Sequence, residues 1–413
     1  MKLKKNDTNN AIITKLCNVR PHSNADRLQL ATVLGAQVIV GLDAKDGDLV
    51  IYFDSNLKLS REYLHWNNLY TSKELNADST QKGYFGGNGR VRAQKFRGEI
   101  SNGYVASIES LFFIGITSSE SCRSLKDGAE FTVINDIEVC SKYIVPSGVR
   151  SERGKDKKGR RRGTSTPYFW KHWDTKQLMR EKHQIPEDAV CYIEEKIHGT
   201  SGRTGHVLVK TNPRWWQFWK PKITWKVISG TRRVDGLKNR HIASVREVVE
   251  SRIARHLHKG EQVYYEIYGY NHNGGMIQKG SPYGCAPLIS RAWDSPNEPS
   301  PFRVVLYRIT ITTLDGHVID LSRKKVYQRA EELGLEKPYL ISKTYTKDNL
   351  LHAVEQFCKG KSHLDVNTLL EGVVVWFENE NGDWRCLKHK SQEFLISQDK
   401  QYEKGEGDVE DKL

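Results

Sequence analysis

Four short segments of this chain join a run of apolar residues to charged ones, and each suggests a chemical task. In CYIEEKIHGTSGR, an apolar-looking stretch from Cys191 runs into Glu195, Lys196, Ile197, His198, Gly199 and Thr200. A lysine at the mouth of a strand is partly stripped of water, which favours its neutral, nucleophilic amine. Gly199, three residues on, permits a tight turn beneath a ligand. In VYYEIYGY, Glu266 stands inside an otherwise apolar strand, where a carboxylate is costly without a cation, a metal or a ligand hydroxyl as partner. Glu371 opens the apolar run of LLEGVVVWF and poses the same question. In CLKHKSQEF, Lys388 and Lys390 are two residues apart. Alternate side chains of a strand share a face, so both ammonium groups would address one anion. Taken singly, each segment also fits an ordinary salt bridge or the charged guard of a sheet edge.

Strands must position these residues, and 413 residues suffice for two or three domains at roughly 150 residues each. Ala11–Cys17, Leu28–Leu34, Gln37–Val40, Asp48–Phe53, Arg90–Phe96, Gly103–Ile108 and Glu130–Ile134 are predicted strands, parted by turn-formers such as GLDAKDGD. Many short strands with little helix suggest a small OB-like β-barrel over residues 1–145. The stretch RSERGKDKKGRRRG carries eight basic and two acidic residues with no apolar periodicity, and marks a basic linker over residues 146–166. From 167 to 400, predicted strands at Val190–Ile193, Thr224–Ile228, Gln262–Tyr268, Arg303–Ile309 and Gly372–Phe377 mix with helices at Ile242–His258 and Leu321–Leu333. Val245, Val248, Val249, Ile253 and Leu257 share one face of the first helix. This is an α+β domain with its own core, followed by a polar tail over 401–413.

Lysine and arginine number 64 against 50 aspartates and glutamates, a formal charge of +14. That balance favours a polyanionic partner. No apolar run approaches the roughly 18 residues of a membrane span, and the start shows no signal-peptide core, so nucleic acid is preferred over a membrane. The seven scattered cysteines include no CxxC pair, which argues against a disulfide framework or zinc ribbon and points to a reducing cytoplasm. PRWWQFWKPKITWK holds Trp215, Trp216, Trp219 and Trp225. A hairpin packed on its own domain is the preferred reading there, with base stacking or a partner-binding patch as the alternative.

Taken in order, Lys-x-x-Gly, the strand glutamate, Glu-Gly before an apolar strand, and Lys-x-Lys resemble motifs I, III, IV and V of the covalent nucleotidyltransferases, which include ATP-dependent DNA and RNA ligases and mRNA capping enzymes. RPHSNADRLQLATVLGAQVIVGLDAKDGDLVIYF, continued by RVRAQKFRGEISNG, resembles an OB module of the tRNA-binding kind. An OB module ahead of the transferase domain is similar to the fifth RNA ligase family. DNA ligases and capping enzymes usually carry theirs after motif V, where only 23 residues follow Lys390 here.

The resemblance implies an α+β ligase domain with antiparallel sheets and an ATP-dependent RNA ligase that joins 3′-hydroxyl and 5′-phosphate ends, at nicks in a duplex. Lys196 matches the nucleophile that forms lysyl-AMP, and Lys388 and Lys390 match the pair that stabilises charge on the transferred phosphate. Glu371 matches the metal-holding carboxylate of motif IV. Glu266 matches that of motif III, near the ribose or a metal shell, with Mg2+ or Mn2+ as the ion. Glu195, Ile197 and Gly199 would line the nucleotide, Arg203 and Arg232 would meet the ribose or the incoming 5′-phosphate, and Tyr307 would lie against the nucleobase or simply in the core. One departure stands out: the family usually has Lys-x-Asp-Gly, and this chain has His198 for the aspartate, so altered metal or pH dependence is expected. The chain is expected to act as a monomer on RNA, with no membrane partner. The competing readings are a DNA ligase or a guanylyltransferase, and a non-catalytic RNA-binding protein with a relic transferase domain.

Overall fold

The structure, a computed structural model, describes residues 1–116, 125–144, 166–211, 223–232, 234–236, 243–287, 300–344 and 347–404. Nearly all of the basic linker, together with Trp215, Trp216 and Trp219, lies outside the described residues. The chain divides into two compact units. The first comprises Met1–Pro146, Lys176–Lys182 and Lys390–Gly407, and the second comprises Ser147–Thr175, His183–His389 and Asp408–Leu413.

In the first unit Ala11–Lys15 pairs antiparallel with Leu49–Phe53, which pairs with Tyr104–Ser107, while Glu130–Phe131 borders the other side of Ala11–Lys15. A second sheet joins Cys17–His22, Ala25–Val33 and Ala36–Val40. Ala11, Ile12 and Ile13 form an unbroken apolar run because the strand is covered on both faces. Ala11 and Ile13 enter a core with Phe53, Tyr63, Leu111 and Phe131, and Ile12 enters another with Val33, Val38 and Tyr52. The C-terminal helix Gln392–Glu403 begins at Ser391, whose hydroxyl accepts the Phe394 N–H. Its Leu395 and Ile396 pack with Ala93. Asp399 is ion-paired with buried Arg90 and accepts the Ala93 N–H, and the Arg90 guanidinium lies 4.7 Å from the Tyr143 ring and 5.1 Å from that of Tyr402. These contacts keep the helix intact to Glu403, inside the stretch whose polarity predicts a tail.

The second unit is built on two sheets. One runs, antiparallel throughout, in the order Ile223–Gly230, Thr200–Lys210, Glu261–Gly269, Phe302–Thr312, Val318–Asp320. The other places Cys191–Glu195 between Gly372–Glu378 and Leu340–Thr344, with Trp384–Lys390 beyond Gly372–Glu378. The helices Ala243–Ile253 and Arg323–Glu332 lay Val245, Val249, Ile253, Val326 and Ala330 against Val263, Tyr265, Ile267, Leu306 and Ile309. Strand alternation then turns Tyr264, Glu266 and Tyr268 to the opposite face of that sheet.

Candidate active site

Three successive charged residues at the end of Cys191–Glu195 meet three different partners. Glu194, 2% exposed, accepts a bidentate pair of bonds from Arg323 at 2.5 and 2.7 Å and one from the Tyr327 hydroxyl. Glu195 accepts from the Ser362 hydroxyl, and from the His363 backbone N–H at 2.9 Å, with His363 Nδ1 at 3.0 Å; the His363 ring stacks on Tyr339 at 4.7 Å. Lys196 follows as the strand gives way to a turn. Its N–H donates to the Gly372 carbonyl at 2.9 Å, and Nζ lies 2.8 Å from Oε2 of Glu371. Glu371 is 2% exposed at its side chain and Lys196 26%, so the ammonium reaches open space from a buried carboxylate. His198 Nδ1 is 3.9 Å from the same Glu371 oxygen. Two of the four charged segments therefore converge.

Gly199 sits where the chain turns against a neighbouring strand. A Cβ there would lie 2.3 Å from the Ile267 carbonyl oxygen and 3.0 Å from Glu266 Cγ. The glycine is needed because the turn closes against the neighbouring strand, and no left-handed backbone is involved. Gly202 has the same cause: its Cβ would fall 2.2 Å from the Tyr265 ring. That close approach brings Ser201 to Glu266, whose Oε2 accepts the serine hydroxyl at 3.0 Å. Ile197 is buried with Tyr268, Tyr283 and Val305.

The remaining residues surround this centre in several ways. Arg203, 1% exposed, spends its guanidinium inside the protein. It donates to the carbonyls of Thr231, Phe169 and Trp170 at 2.8–3.0 Å, pairs with Asp235, and lies 4.1 Å from the Phe169 ring centre. It holds the 169–170 segment beside the Thr231 turn. Arg232, more exposed, pairs with Asp174 at 2.6 Å. Tyr307 occupies a β-bulge: Tyr265 pairs with Leu306 and Tyr264 with Arg308, which leaves Tyr307 the extra residue. Bulges re-aim a side chain beside functional sites, and here the ring meets His172 edge-on at 5.3 Å. Burial holds the His172 imidazolium well below its ordinary pKa, with Arg308, Arg232 and Lys388 adding repulsion. Arg308 itself chelates Asp320 and lies 3.5 Å from the Trp173 ring centre. Lys388 belongs to the second unit. Lys390, which closes the same strand, belongs to the first, where Nζ is 3.5 Å from Gln398 Oε1 and 5.4 Å from the Phe394 ring centre.

Among the described residues no three His, Cys, Asp or Glu side chains form a metal cage. Glu371, Glu266 and His198 nevertheless suit Mg2+ or Mn2+, hard ions that need only one or two carboxylates when phosphate oxygens and waters complete their shell. Sequence reasoning missed Tyr283, Ser362, His363 and the Glu194–Arg323 pair. Only the charge of Glu194 and Arg323 signalled anything, and nothing local could say that they meet.

The comparisons bear on the fold. A family model described as an OB-fold domain matches residues 10–108. No curated protein sequence matches the chain. Among solved structures, the RNA ligase of Naegleria gruberi with PPi aligns at 16% identity and a TM-score of 0.56, covering 94% of this chain and 98% of its own. Mutants of that ligase with AMP and Mn, and with ATP and Mn, align at 14% and 15% identity with TM-scores of 0.57, again over 94% and 98% of the two chains. No helix among the described residues is long and apolar enough to cross a membrane. Over nearly its whole length the chain thus has the fold of an RNA ligase, an N-terminal OB-fold domain followed by an α+β domain of antiparallel sheets.

Proposed function

We propose that the protein is an ATP-dependent RNA ligase that seals a 3′-hydroxyl to a 5′-phosphate, at nicks in a duplex, through a lysyl-AMP intermediate. The observation that carries this reading is the contact of Lys196 Nζ with buried Glu371 at 2.8 Å, in a chain of ligase fold. Glu371 is placed to take the proton that Nζ must shed. The nitrogen lone pair then forms the N–P bond to the α-phosphorus as the bond to the bridging oxygen breaks, and pyrophosphate leaves with that electron pair. AMP passes next to the oxygen of a 5′-phosphate end, freeing the lysine, and the 3′-hydroxyl finally displaces AMP.

Glu266 and His198, with Glu371 once it has passed the lysine proton to solvent, are the residues that would hold Mg2+ or Mn2+, whose charge would offset that of the phosphates. Arg232 and Lys388 supply cations for the phosphates, and Tyr307, set apart by its bulge, offers a face to the nucleobase. Arg203 serves by holding the segment that carries Phe169 and Trp170. The OB-fold domain would grip the RNA, and the chain would act as a monomer.

Intact mass after incubation with ATP and Mg2+ or Mn2+ tests the chemistry. An AMP-sized adduct is expected on the wild type and none on Lys196→Ala. An adduct with GTP alone would turn the reading to capping chemistry. A wild type that forms no adduct, even after pyrophosphate has stripped any AMP already bound, would refute it.

A further inference from the structure

The turn carrying Lys196 is gripped by a loop that no motif covers. After the strand Glu261–Gly269 the chain folds back, and two of its side chains bind the turn's backbone. Gln278 Nε2 donates to the Gly199 carbonyl at 2.8 Å, and the His198 N–H donates to the Tyr283 hydroxyl oxygen at 2.8 Å. Tyr283 is 1% exposed, meets the Tyr268 ring edge-on at 5.1 Å, and packs with Ile197 and Val305. Its φ is +50°, in the left-handed region that a bulky side chain rarely adopts, and Gly280 and Gly284 beside it have φ of +76° and +73°. Strain of this kind persists where the surroundings hold it, and it gathers at functional sites.

Packing alone does not account for a tyrosine here. Phenylalanine would fill the same space between Tyr268 and Ile197. Only the hydroxyl can accept the His198 N–H, as it does at 2.8 Å, and losing that bond in a buried turn is costly. That hydroxyl lies close enough to Glu371, Glu195 and Glu266 to feel their charges; burial first, and these carboxylates next, keep it protonated. It is a neutral group fixed among the anions of the site.

We propose that Tyr283, with Gln278, is a positioning residue for the covalent step: the two clamp the backbone on the far side of Lys196, so that Nζ meets the α-phosphorus in line. The near side is already tied by the Lys196 N–H to Gly372, and Ile197 between them is held in the Tyr283 cluster. This rests on the lysyl-AMP reading above. A small misplacement of a nucleophile is costly in rate and nearly free in ground-state binding.

The test separates the steps of the reaction. Tyr283→Phe should lower the melting temperature by no more than a few degrees and keep the wild-type ATP KM, yet slow single-turnover lysyl-AMP formation about tenfold or more. It should still seal an RNA already carrying 5′-AMP at close to the wild-type rate, because that step uses no lysine nucleophile. Gln278→Leu, which leaves the strained backbone alone, should show the same split and serves if Tyr283→Phe folds poorly. Unchanged lysyl-AMP formation in both variants, or equal slowing of both steps, would overturn the inference. A wild type that forms no lysyl-AMP would instead remove the reading beneath it, and the clamp with it.

Discussion

Glu194, Glu195 and Lys196 are adjacent in sequence and have nothing in common in their surroundings. The two carboxylates pair with Arg323 and with Ser362 and His363, and the lysine pairs with the buried carboxylate of Glu371. His172 shows the same control of charge by surroundings. Enclosed by the rings of Trp173, Tyr264 and Tyr307 and facing Arg308, it stays neutral in the folded protein. The sign of its effect on stability follows. Below its ordinary pKa of 6.5 the unfolded chain binds a proton that the folded chain refuses, so stability falls as pH is lowered through that range. Urea midpoints measured at about pH 7.5 and about pH 5.5 should drop on acidification, and less steeply for His172→Gln. Identical slopes in the two proteins would mean that His172 accepts a proton while folded.

At the scale of elements, the Glu194–Arg323 pair joins an inner strand of one sheet to the helix Arg323–Glu332. Both side chains are buried, at 2% and 1% exposure. A pair so deeply placed adds little net stability over apolar packing, but either half alone is an uncompensated buried charge. Arg323→Leu should therefore destabilise the protein by about 3–5 kcal/mol in chemical denaturation, and adding Glu194→Leu should recover much of the loss. A double variant as unstable as the single one would show that the pair is not the cause. The bulge at Tyr307 and the backbone approach at Gly199 are further devices of this scale. The bulge shifts the alternation by one, so that Leu306 and Ile309 both enter the core, which is why periodicity places a strand at Arg303–Ile309 while leaving the orientation of Tyr307 undecided.

For the whole molecule, an OB-fold domain and a basic chain of net charge +14 point toward a polyanion. Each phosphate neutralised releases condensed counterions, so affinity for nicked RNA should fall steeply between about 50 and about 200 mM salt. Lysyl-AMP formation, which needs no RNA, should change far less over that interval. Equal sensitivity of the two would argue that the charge serves nucleotide binding rather than RNA. Filter binding and adduct mass in the same buffers make the comparison.

Many of the strands and the order of the four charged segments are legible in the sequence, while Thr200–Lys210 and Leu340–Thr344 are not, because polar residues break their apolar pattern. The legible features depend on local properties: the period of apolar residues, turn-formers between them, and a charge set in an apolar run. The partners of those charges are decided only by tertiary structure. Lys196 meets a carboxylate 175 positions away, Arg323 one 129 positions away, and the strained Tyr283 reaches the His198 backbone across 85. The helix that follows Lys390 likewise joins the first unit, where buried Arg90 meets an aspartate 309 positions away. Sheet register and close packing, which bring distant residues within hydrogen-bond reach, settle which of the candidate groups can act together.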